Sequence, residues 1–458
     1  MSSVDRLLAV GRYLGPFPDR RHESLSGSRV VQLGFDLVPV RVELLQVWQA
    51  ARQVLGSAGG VGASRAEIVE RVRSAEVGWR RLAFGCAARL GDRELGAVVD
   101  ELVGLGLLVA VPSGEEELGG VLRRFRLVGL SRAKVQGRDG QGRLGLENGQ
   151  WLAAGLAQVW SWCSVHADLV ETAGLVARQR AAGGSVLGGA ELARVTLGVA
   201  GRLAGSGSAF FDRADAGVDR LTGSGMHGSV DMPFGLEPNE GKFRWWGLAA
   251  RRSYGRTFAV GQFVGEQPVR SGEYFPRYWV RLGRGLVEIT EDHWWSWSRV
   301  FGTGGNFGDM HVTDIPGRAT EGYGFAAGAA AQWLIEQPML LGIGGTDEQM
   351  IAQASMVRAM PTVEAADVIE DDGTARPYVS PYDFDGLAFE IGAFGHLEQS
   401  LWASLQGVAA QRAAEGREGH EGGTDPLELL RYLMMNPEPL VKRAGYLDIA
   451  TDPRPPGA

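Results

Sequence analysis

Several residue types that would mark a protein class are scarce in this sequence. Its 458 residues contain only two cysteines, Cys86 and Cys163, which lie far apart and outside any CxxC context. This excludes a disulfide framework and a zinc finger of the usual spacing, and it fits a reducing compartment. Lysine is also rare, with Lys134, Lys242 and Lys442 alone, so arginine supplies nearly all the positive charge. The net charge of −8 argues against a general affinity for nucleic acid.

Long apolar runs are missing as well. Runs such as "LVGLGLLVAV" are shorter than the roughly 20 residues needed to span a bilayer. The N-terminal stretch "MSSVDRLLAVGRYLG" has an early acidic residue and no long apolar core, which argues against a secretory signal peptide. The sequence therefore predicts a soluble protein with no membrane partner. We expect it in the cytoplasm, or in a particle assembled there.

Glycine is the residue in excess, with 68 of 458 positions, which is about twice its usual share. No collagen-like period and no internal repeat is recognised, and helical patterns remain readable between the glycines. The excess therefore indicates turns and close backbone contacts rather than disorder. The length exceeds what one ordinary core supports, so about two or three domains are expected. The predicted fold class is α+β and multidomain.

The pattern of elements divides the chain into six segments. The predicted segments are an extended arm (1–38), a winged-helix-like domain (39–130), a linker (131–148), a helical connector (149–227), an Arg/Trp-rich β domain (228–321) and an acidic helical region with an extended tail (322–458). The connector is expected to begin with one long helix over 149–180. The predicted α+β protein therefore consists of an N-terminal winged-helix-like domain, a helical connector, an aromatic β-rich domain and a helical C-terminal region.

The winged-helix-like assignment depends on three helical patterns followed by a hairpin. Helical patterns cover 41–55, 63–74 and 92–106, and the second begins at a capping box formed by Ser64 and Glu67. Two apolar stretches, "LLVAV" and "LRRFRLVGL", are predicted to pair across the acidic turn "PSGEEELGG". Three helices and a hairpin in this order are typical of a winged helix.

The charge of the third helix does not favour DNA reading. A winged helix normally places this helix in the major groove, where positive charge is needed. Here the helix carries Asp92, Glu94, Asp100 and Glu101, and the predicted wing tip is acidic too. These charges favour assembly or regulation through protein contacts for this domain.

Positive charge is concentrated further along the chain. Residues 242–299 include ten basic and five acidic residues, whereas 341–458 include eight basic and 19 acidic residues. Aromatic side chains interleave with the arginines of 242–299, as a surface that stacks bases and binds phosphates would require. The alternative interpretation is a sheet core with arginines on its outer face. The candidate nucleic-acid-binding residues are Arg244, Trp245, Arg251, Arg252, Arg277, Trp279, Arg281, Trp295, Trp297 and Arg299.

Three tryptophans lie within four positions in "EDHWWSWSR" (291–299). Interpreted as a strand, this stretch would place Trp295 and Trp297 on one face and Trp294 on the other. The first pair would then form a platform near Arg281 and Arg299, with Trp294 in the core.

The patterns that would indicate an enzyme are short. Asp231, Glu240 and Lys242 resemble the spaced carboxylates and lysine of metal-dependent nucleases. Other carboxylate and histidine groupings that could bind a metal are Asp309, His311 and Asp314 with His293, and Asp383 with Asp385. The glycine-rich "GTGGNFGD" and "GIGGT" lack the Lys-Ser/Thr of a phosphate loop and a strand-Gly-helix context, so no cofactor is expected.

The sequence thus predicts a non-enzymatic, nucleic-acid-associated protein with a winged-helix module for assembly or regulation. One alternative is a structural subunit of a large assembly, such as a virion or secretion particle. Another is a metal-dependent nuclease or other hydrolase. Protein partners or a homo-oligomer are expected in addition to nucleic acid.

Overall fold

The structure is a computed structural model. It describes residues 6–16, 29–58, 61–74, 87–131, 133–138, 143–214, 256–267, 277–301, 330, 333–362, 364, 366–369, 375–378, 386–414, 423–435 and 445–450. The helices of these residues are α1 (Val42–Ala58), α2 (Arg65–Arg73), α3 (Asp92–Gly104), α4 (Glu115–Arg124), α5 (Ala154–Cys163), α6 (Leu169–Ala182), α7 (Gly189–Gly205), α8 (Glu291–Phe301), α9 (Asp347–Ala354), α10 (Gly386–Phe394), α11 (Leu401–Ala414) and α12 (Pro426–Met435).

The strands are short. They are β1 (Arg6–Ala9), β2 (Arg12–Pro16), β3 (Arg29–Leu33), β4 (Asp36–Val40), β5 (Leu108–Val111), β6 (Phe125–Gly129), β7 (Ala133–Arg138), β8 (Leu144–Leu146), β9 (Trp151–Leu152), β10 (Ala209–Arg213), β11 (Arg256–Ala259), β12 (Gln262–Gln267), β13 (Arg277–Leu282), β14 (Gly285–Ile289), β15 (Leu340–Ile343), β16 (Val357–Pro361), β17 (Ala366–Ile369), β18 (Ala375–Tyr378) and β19 (Gly445–Ile449). The mixture of helices with small sheets agrees with the α+β class. Within the described ranges, no helix combines the length and apolar character needed to cross a membrane.

The three helices predicted over 41–106 are confirmed as α1, α2 and α3. At the start of α2, the Ser64 side chain accepts from the Glu67 N–H and the Glu67 side chain accepts from the Ser64 N–H. The end of α3 is fixed by Gly106, whose φ of 73° lies in the left-handed region. The Leu107 N–H then donates to the Leu102 carbonyl at 3.0 Å, which closes a Schellman motif.

The predicted wing hairpin is wrong. Residues 115–124 form helix α4 instead of a turn, with three glutamates in its first turn and Arg123 and Arg124 in its last. That distribution suits the helix dipole, and it explains why an apparently turn-like acidic stretch is helical. Strand β5 pairs with β1, and β6 pairs with β10, both antiparallel. The edge that the wing should complete is therefore occupied by residues 6–9.

Three further expectations are corrected by the described elements. The predicted arm contains β1 to β4, because its Val- and Leu-rich stretches find antiparallel partners. The predicted linker contains β7 and β8. The predicted long helix is divided into β9, α5 and α6, and Asp168 caps α6 by accepting from the Val170 and Glu171 N–H groups. Asp168 has an extended backbone conformation, which is typical of an N-cap residue, so α6 begins after it as a separate helix.

The contacts between residues divide the chain into two compact units. Unit 1 comprises 1–131, 140–218 and 364–383, and unit 2 comprises 132–139, 219–363 and 384–458. Each unit therefore includes one segment that comes from the other half of the sequence.

The two units contain the same succession of elements, so the absence of an internal repeat inferred from the sequence is corrected. In unit 1, β1 pairs with β5, β2–β3–β4 form a sheet, and β6 pairs with β10. In unit 2, β11 pairs with β15, β12–β13–β14 form a sheet, and β16 pairs with β19. Within the described ranges, helix α1 follows β4 as α8 follows β14, and three helices precede β10 as three precede β19. The register of β2 on β3 and of β12 on β13 shifts at the same point of the repeat.

Backbone details repeat as closely as the topology. Gly11 and Gly261 both have left-handed backbone conformations, with φ of 93° and 104°. Each donates its N–H to the central residue of the last strand, Gly11 to Phe211 and Gly261 to Leu447, both at 2.7 Å. A Cβ at either glycine would collide with the facing strand. Both turns therefore require glycine for the same two reasons.

A buried tryptophan connects helix to strand in both units. The Trp48 Nε1 in α1 donates to the Val10 carbonyl at 2.9 Å, and the Trp297 Nε1 in α8 donates to the Val260 carbonyl at 3.1 Å. Each carbonyl belongs to the residue just before the left-handed glycine. The tryptophans are thus core residues of equivalent position.

Candidate functional site

The predicted nucleic-acid surface is only partly within the described residues. Arg244, Trp245, Arg251 and Arg252 lie outside them. The same is true of the possible metal ligands Asp231, Glu240, Lys242, Asp309, His311, Asp314, Asp383 and Asp385. Among the described residues, no group of three His, Cys, Asp or Glu side chains is arranged to hold a metal ion.

The tryptophan-rich stretch is helix α8, so its prediction as a strand is wrong. Glu291 and Asp292 occupy the first turn, where negative charge favours a helix start. Trp294 and Trp297 are three residues apart, which places them on one helical face, and their ring centroids are 5.5 Å apart. Both are buried, with Trp297 only 1% exposed. Trp295 and Arg299 lie on the same helix.

Trp294 belongs to an aromatic cluster in the core of unit 2. Its ring stacks on Tyr278 with a centroid distance of 5.2 Å and meets Phe263 at 4.2 Å. Tyr278 belongs to β13 and Phe263 to β12, so the cluster fastens α8 to the three-stranded sheet. This packing confirms that Trp294 is a core residue, although it reaches the core from a helix.

Arg277, Trp279 and Arg281 alternate along β13 as predicted, but they do not form an exposed surface. Trp279 is buried, and Arg281 is completely buried at 0% exposure. Arg277 forms an ion pair with Glu288 on the adjacent strand β14. With Trp297, two of the predicted aromatic platform residues and one predicted phosphate ligand are therefore inside the protein. The alternation agrees with the prediction, but residues 278–282 of β13 are buried on both sides of the strand.

Arg281 is the centre of a buried polar network in unit 2. Its guanidinium pairs with Asp448 at 2.9 Å and donates to the Gln262 side chain at 3.1 Å. It also donates to the Tyr446 hydroxyl at 2.7 Å. Asp448 in turn accepts from the Gly283 N–H at 2.7 Å. A buried guanidinium is tolerated only with this degree of pairing, so Arg281 has a structural role.

Unit 1 contains the equivalent network with two residues interchanged. Asp212 accepts from the Gly34 N–H at 2.6 Å, as Asp448 does from Gly283 in unit 2. Arg12 donates to the Gln32 side chain at 2.8 Å. Position 12 corresponds to Gln262, and position 32 corresponds to Arg281. One arginine and one glutamine thus fill the same space in both units, on opposite strands.

Helix α3 ends in two exposed apolar side chains and has ion-paired acidic side chains along its length. Val103 and Leu105, at the C-terminal end of the helix, are 37% and 39% exposed. Three acidic residues of α3 form ion pairs with neighbouring helices or their flanks: Asp92 with Arg73, Asp100 with Arg65, and Glu101 with Arg41. The hydrogen bond from Arg65 is the main cause of a lowered pKa at Asp100. Each of these three carboxylates therefore has an arginine partner.

The glycine-rich "GIGGT" stretch does lie between a strand and a helix, β15 and α9, contrary to expectation. Two of its backbone N–H groups, at Gly344 and Thr346, nevertheless donate to side chains of α9. The Gln349 N–H donates to the Thr346 hydroxyl at 3.3 Å, and the Thr346 N–H donates to the Gln349 side chain at 3.0 Å. The Gly344 N–H donates to Gln353 at 2.8 Å. This helix start is self-capped rather than shaped for a phosphate.

The duplicated core had a detectable signal in the sequence. "AVGRYLG" (9–15) and "AVGQFVG" (259–265) share Ala, Val and both glycines, and "QLGFDLVPV" (32–40) and "RLGRGLVEI" (281–289) share Leu-Gly and Leu-Val at matching positions. Comparisons with protein-family models, with curated proteins and with solved structures find no match to this chain. Its function is therefore inferred from its own residues.

Proposed function

We propose that this chain is a non-catalytic structural subunit that associates with further copies of itself through unit 1. The observation that carries the proposal is the distribution of exposed apolar side chains. In the part of the chain that the structure describes, the large exposed apolar residues of unit 1 are Phe35, Val103, Leu105, Trp151, Val170 and Val186, against Met435 in unit 2.

The charge of α3 supports a protein partner over a polynucleotide. Its acidic side chains remain on the surface, and each arginine paired with them is already engaged. A phosphate backbone would meet net negative charge on this helix. The apolar pair Val103 and Leu105, rimmed by polar residues, has instead the composition of a protein contact.

The burial of Trp279, Arg281 and Trp297 also weighs against the nucleic-acid hypothesis. A side chain that stacks a base or binds a phosphate has to reach the ligand. These three side chains instead pack or form hydrogen bonds inside unit 2.

The test is the mass of the native particle by light scattering, with absorbance recorded at 260 and 280 nm. We expect a nucleic-acid-free particle that contains several copies of the 49.1 kDa chain. Replacing Val103 and Leu105 together by Glu should shift the mass toward one chain, because charge is costly in a desolvated contact. Met435→Glu, at a 65% exposed position in unit 2, is the matched control and should leave the mass unchanged.

Two results would count against the proposal. One is a single-chain mass at every concentration. The other is a small species that carries nucleic acid, which would restore the nucleic-acid hypothesis.

A further inference from the structure

Each unit includes one short segment that belongs, by sequence, to the other half of the chain. Both segments begin after equivalent strands of the repeat. Strand β6 of unit 1 is followed by residues 132–139, which belong to unit 2. Strand β16 of unit 2, which corresponds to β6, is followed by residues 364–383, which belong to unit 1. The two segments therefore occupy equivalent positions in the duplicated fold.

The two segments also arrive at equivalent strands. Strand β7 contacts β12 in unit 2, and β17 contacts β2 in unit 1. Strands β2 and β12 correspond, because both follow the left-handed glycine and both shift register on the next strand. Each half of the sequence thus gives the other half the same kind of strand at the same place. A reciprocal exchange of this type is the arrangement found in segment-swapped dimers.

In unit 1 the received segment is fixed by a charged contact. Glu364 forms an ion pair with Arg52 of α1 and accepts from the Tyr13 N–H of β2 at 2.9 Å. The Arg52 side chain is 9% exposed, lies 4.8 Å above the Trp48 ring and donates to the Ala204 carbonyl at 2.9 Å. Arg52 is thus built into the core of unit 1, and a residue more than 300 positions away supplies the carboxylate beside it.

We infer that the two halves of this chain, 1–218 and 219–458, are reciprocal binding partners, each completed by the strand that the other donates. Unit 1 provides Arg52 and a contact surface on β2 for the 364–383 segment of the second half. Unit 2 provides a contact surface on β12 for the 132–139 segment of the first half. The chain is a fused pair rather than two independent domains in series.

Hydrogen exchange on the intact chain tests which unit each segment belongs to. Trp48→Phe removes a hydrogen bond from the core of unit 1, and Trp297→Phe removes the equivalent bond from unit 2. Trp48→Phe should accelerate amide exchange more in 366–369 and 375–378 than in 133–138. Trp297→Phe should do the reverse. Exchange that follows the sequence half, or that accelerates equally in both segments, would overturn the inference.

Cleavage of the link tests whether the donated segments hold the halves together. A specific protease site placed within 219–250 allows a single cut of the folded full-length chain. We expect the two pieces to co-elute in a 1:1 ratio at the size of the intact chain. Glu364→Gln should weaken their association by roughly tenfold or more, because Arg52 loses its charged partner in a buried site. Glu101→Gln, which removes an exposed ion pair inside the first half, is the matched control.

Wild-type pieces that separate into two folded fragments would overturn the inference. So would equal affinities of the Glu364→Gln and Glu101→Gln proteins.

Discussion

At the scale of single residues, the interchange of arginine and glutamine between the two buried networks is the most informative feature. Arg12 and Gln32 face each other on β2 and β3, while Gln262 and Arg281 face each other in the opposite order on β12 and β13. The geometry around Asp212 and Asp448 accepts either order because the cation reaches its amide partner across the same strand pair. Such a pair is coupled, since neither member can change alone without leaving a buried polar group unmatched.

This coupling gives a quantitative prediction for unit 1. Gln32→Arg alone would bury a second guanidinium near Arg12 and should cost about 3–5 kcal/mol of unfolding free energy. The double variant Arg12→Gln with Gln32→Arg reproduces the order seen in unit 2 and should recover most of that loss. Denaturant unfolding followed by circular dichroism gives both values. A double variant as unstable as the sum of the single variants would show that the two positions are independent.

His293 provides a second prediction at this scale. Its ring stacks on Trp333 at 4.2 Å, and burial lowers its pKa below the usual 6.5, while Asp292 acts in the opposite direction. The unfolded chain therefore binds the proton more tightly than the folded chain. The stabilising effect of neutral His293 is present above about pH 6.5 and is lost as the pH falls through the lowered folded pKa.

The measurement is the urea midpoint between pH 7.5 and 5.5. His293→Gln should reduce the fall of the midpoint with decreasing pH, because no proton is then taken up at this position. An identical pH profile in the two proteins would assign the loss to other groups.

At the scale of elements, the helix ends that depend on nearby residues are the ones that the sequence predicts. The starts of α2 and α9 follow from capping boxes formed by residues three apart, and α12 begins after Asp425, whose side chain accepts from the Leu427 N–H. The end of α3 follows from its glycines. The wing could not be predicted, because the partner of β5 lies about 100 residues earlier, in β1.

The candidate site shows the same limit. The strand alternation of Arg277, Trp279 and Arg281 was predictable, whereas their burial depends on distant residues such as Asp448 and Tyr446. The tryptophans of α8 favour a strand, because tryptophan is common in strands. The acids at 291 and 292 were the local evidence for a helix start. The internal repeat is difficult to recognise from the sequence because the matching stretches are short and lie about 250 residues apart.

Two glycines at the end of α3 should respond in opposite ways to replacement by alanine, one gaining and the other losing stability. Gly104 is helical and Gly106 has a φ of 73°, and a Cβ added at either position would enter open space. Gly104→Ala should stabilise the protein by about 0.5–1 kcal/mol, since alanine loses less backbone entropy in a helix. Gly106→Ala should destabilise it by about 1 kcal/mol, since an L residue is strained there. Thermal melts of both variants compare these effects, and equal signs would contradict the Schellman geometry.

At the scale of the whole molecule, net charge and buried cations together predict weak contact with polynucleotides. The chain carries a charge of −8, and Arg12, Arg281 and Arg412 are buried in the described core. We expect no salt-dependent binding of labelled single-stranded DNA or RNA by fluorescence anisotropy between about 50 and 200 mM salt. Tight binding that weakens steeply with salt would instead place function in residues 242–255, outside the described part of the chain.

The strand donated to unit 1 also determines when this protein can fold. A ribosome adds residues from the N-terminus, and the segment 364–383 emerges only when most of the chain has been made. Until then β2 lacks the neighbour provided by β17, and Arg52 lacks the Glu364 carboxylate. The nascent first half therefore lacks the contacts of this segment with β2 and Arg52 for much of translation, and an incompletely packed intermediate is prone to association with other chains. Chaperone occupancy during synthesis should be highest before residue 383 leaves the exit tunnel, and slow translation of the second half should favour aggregation.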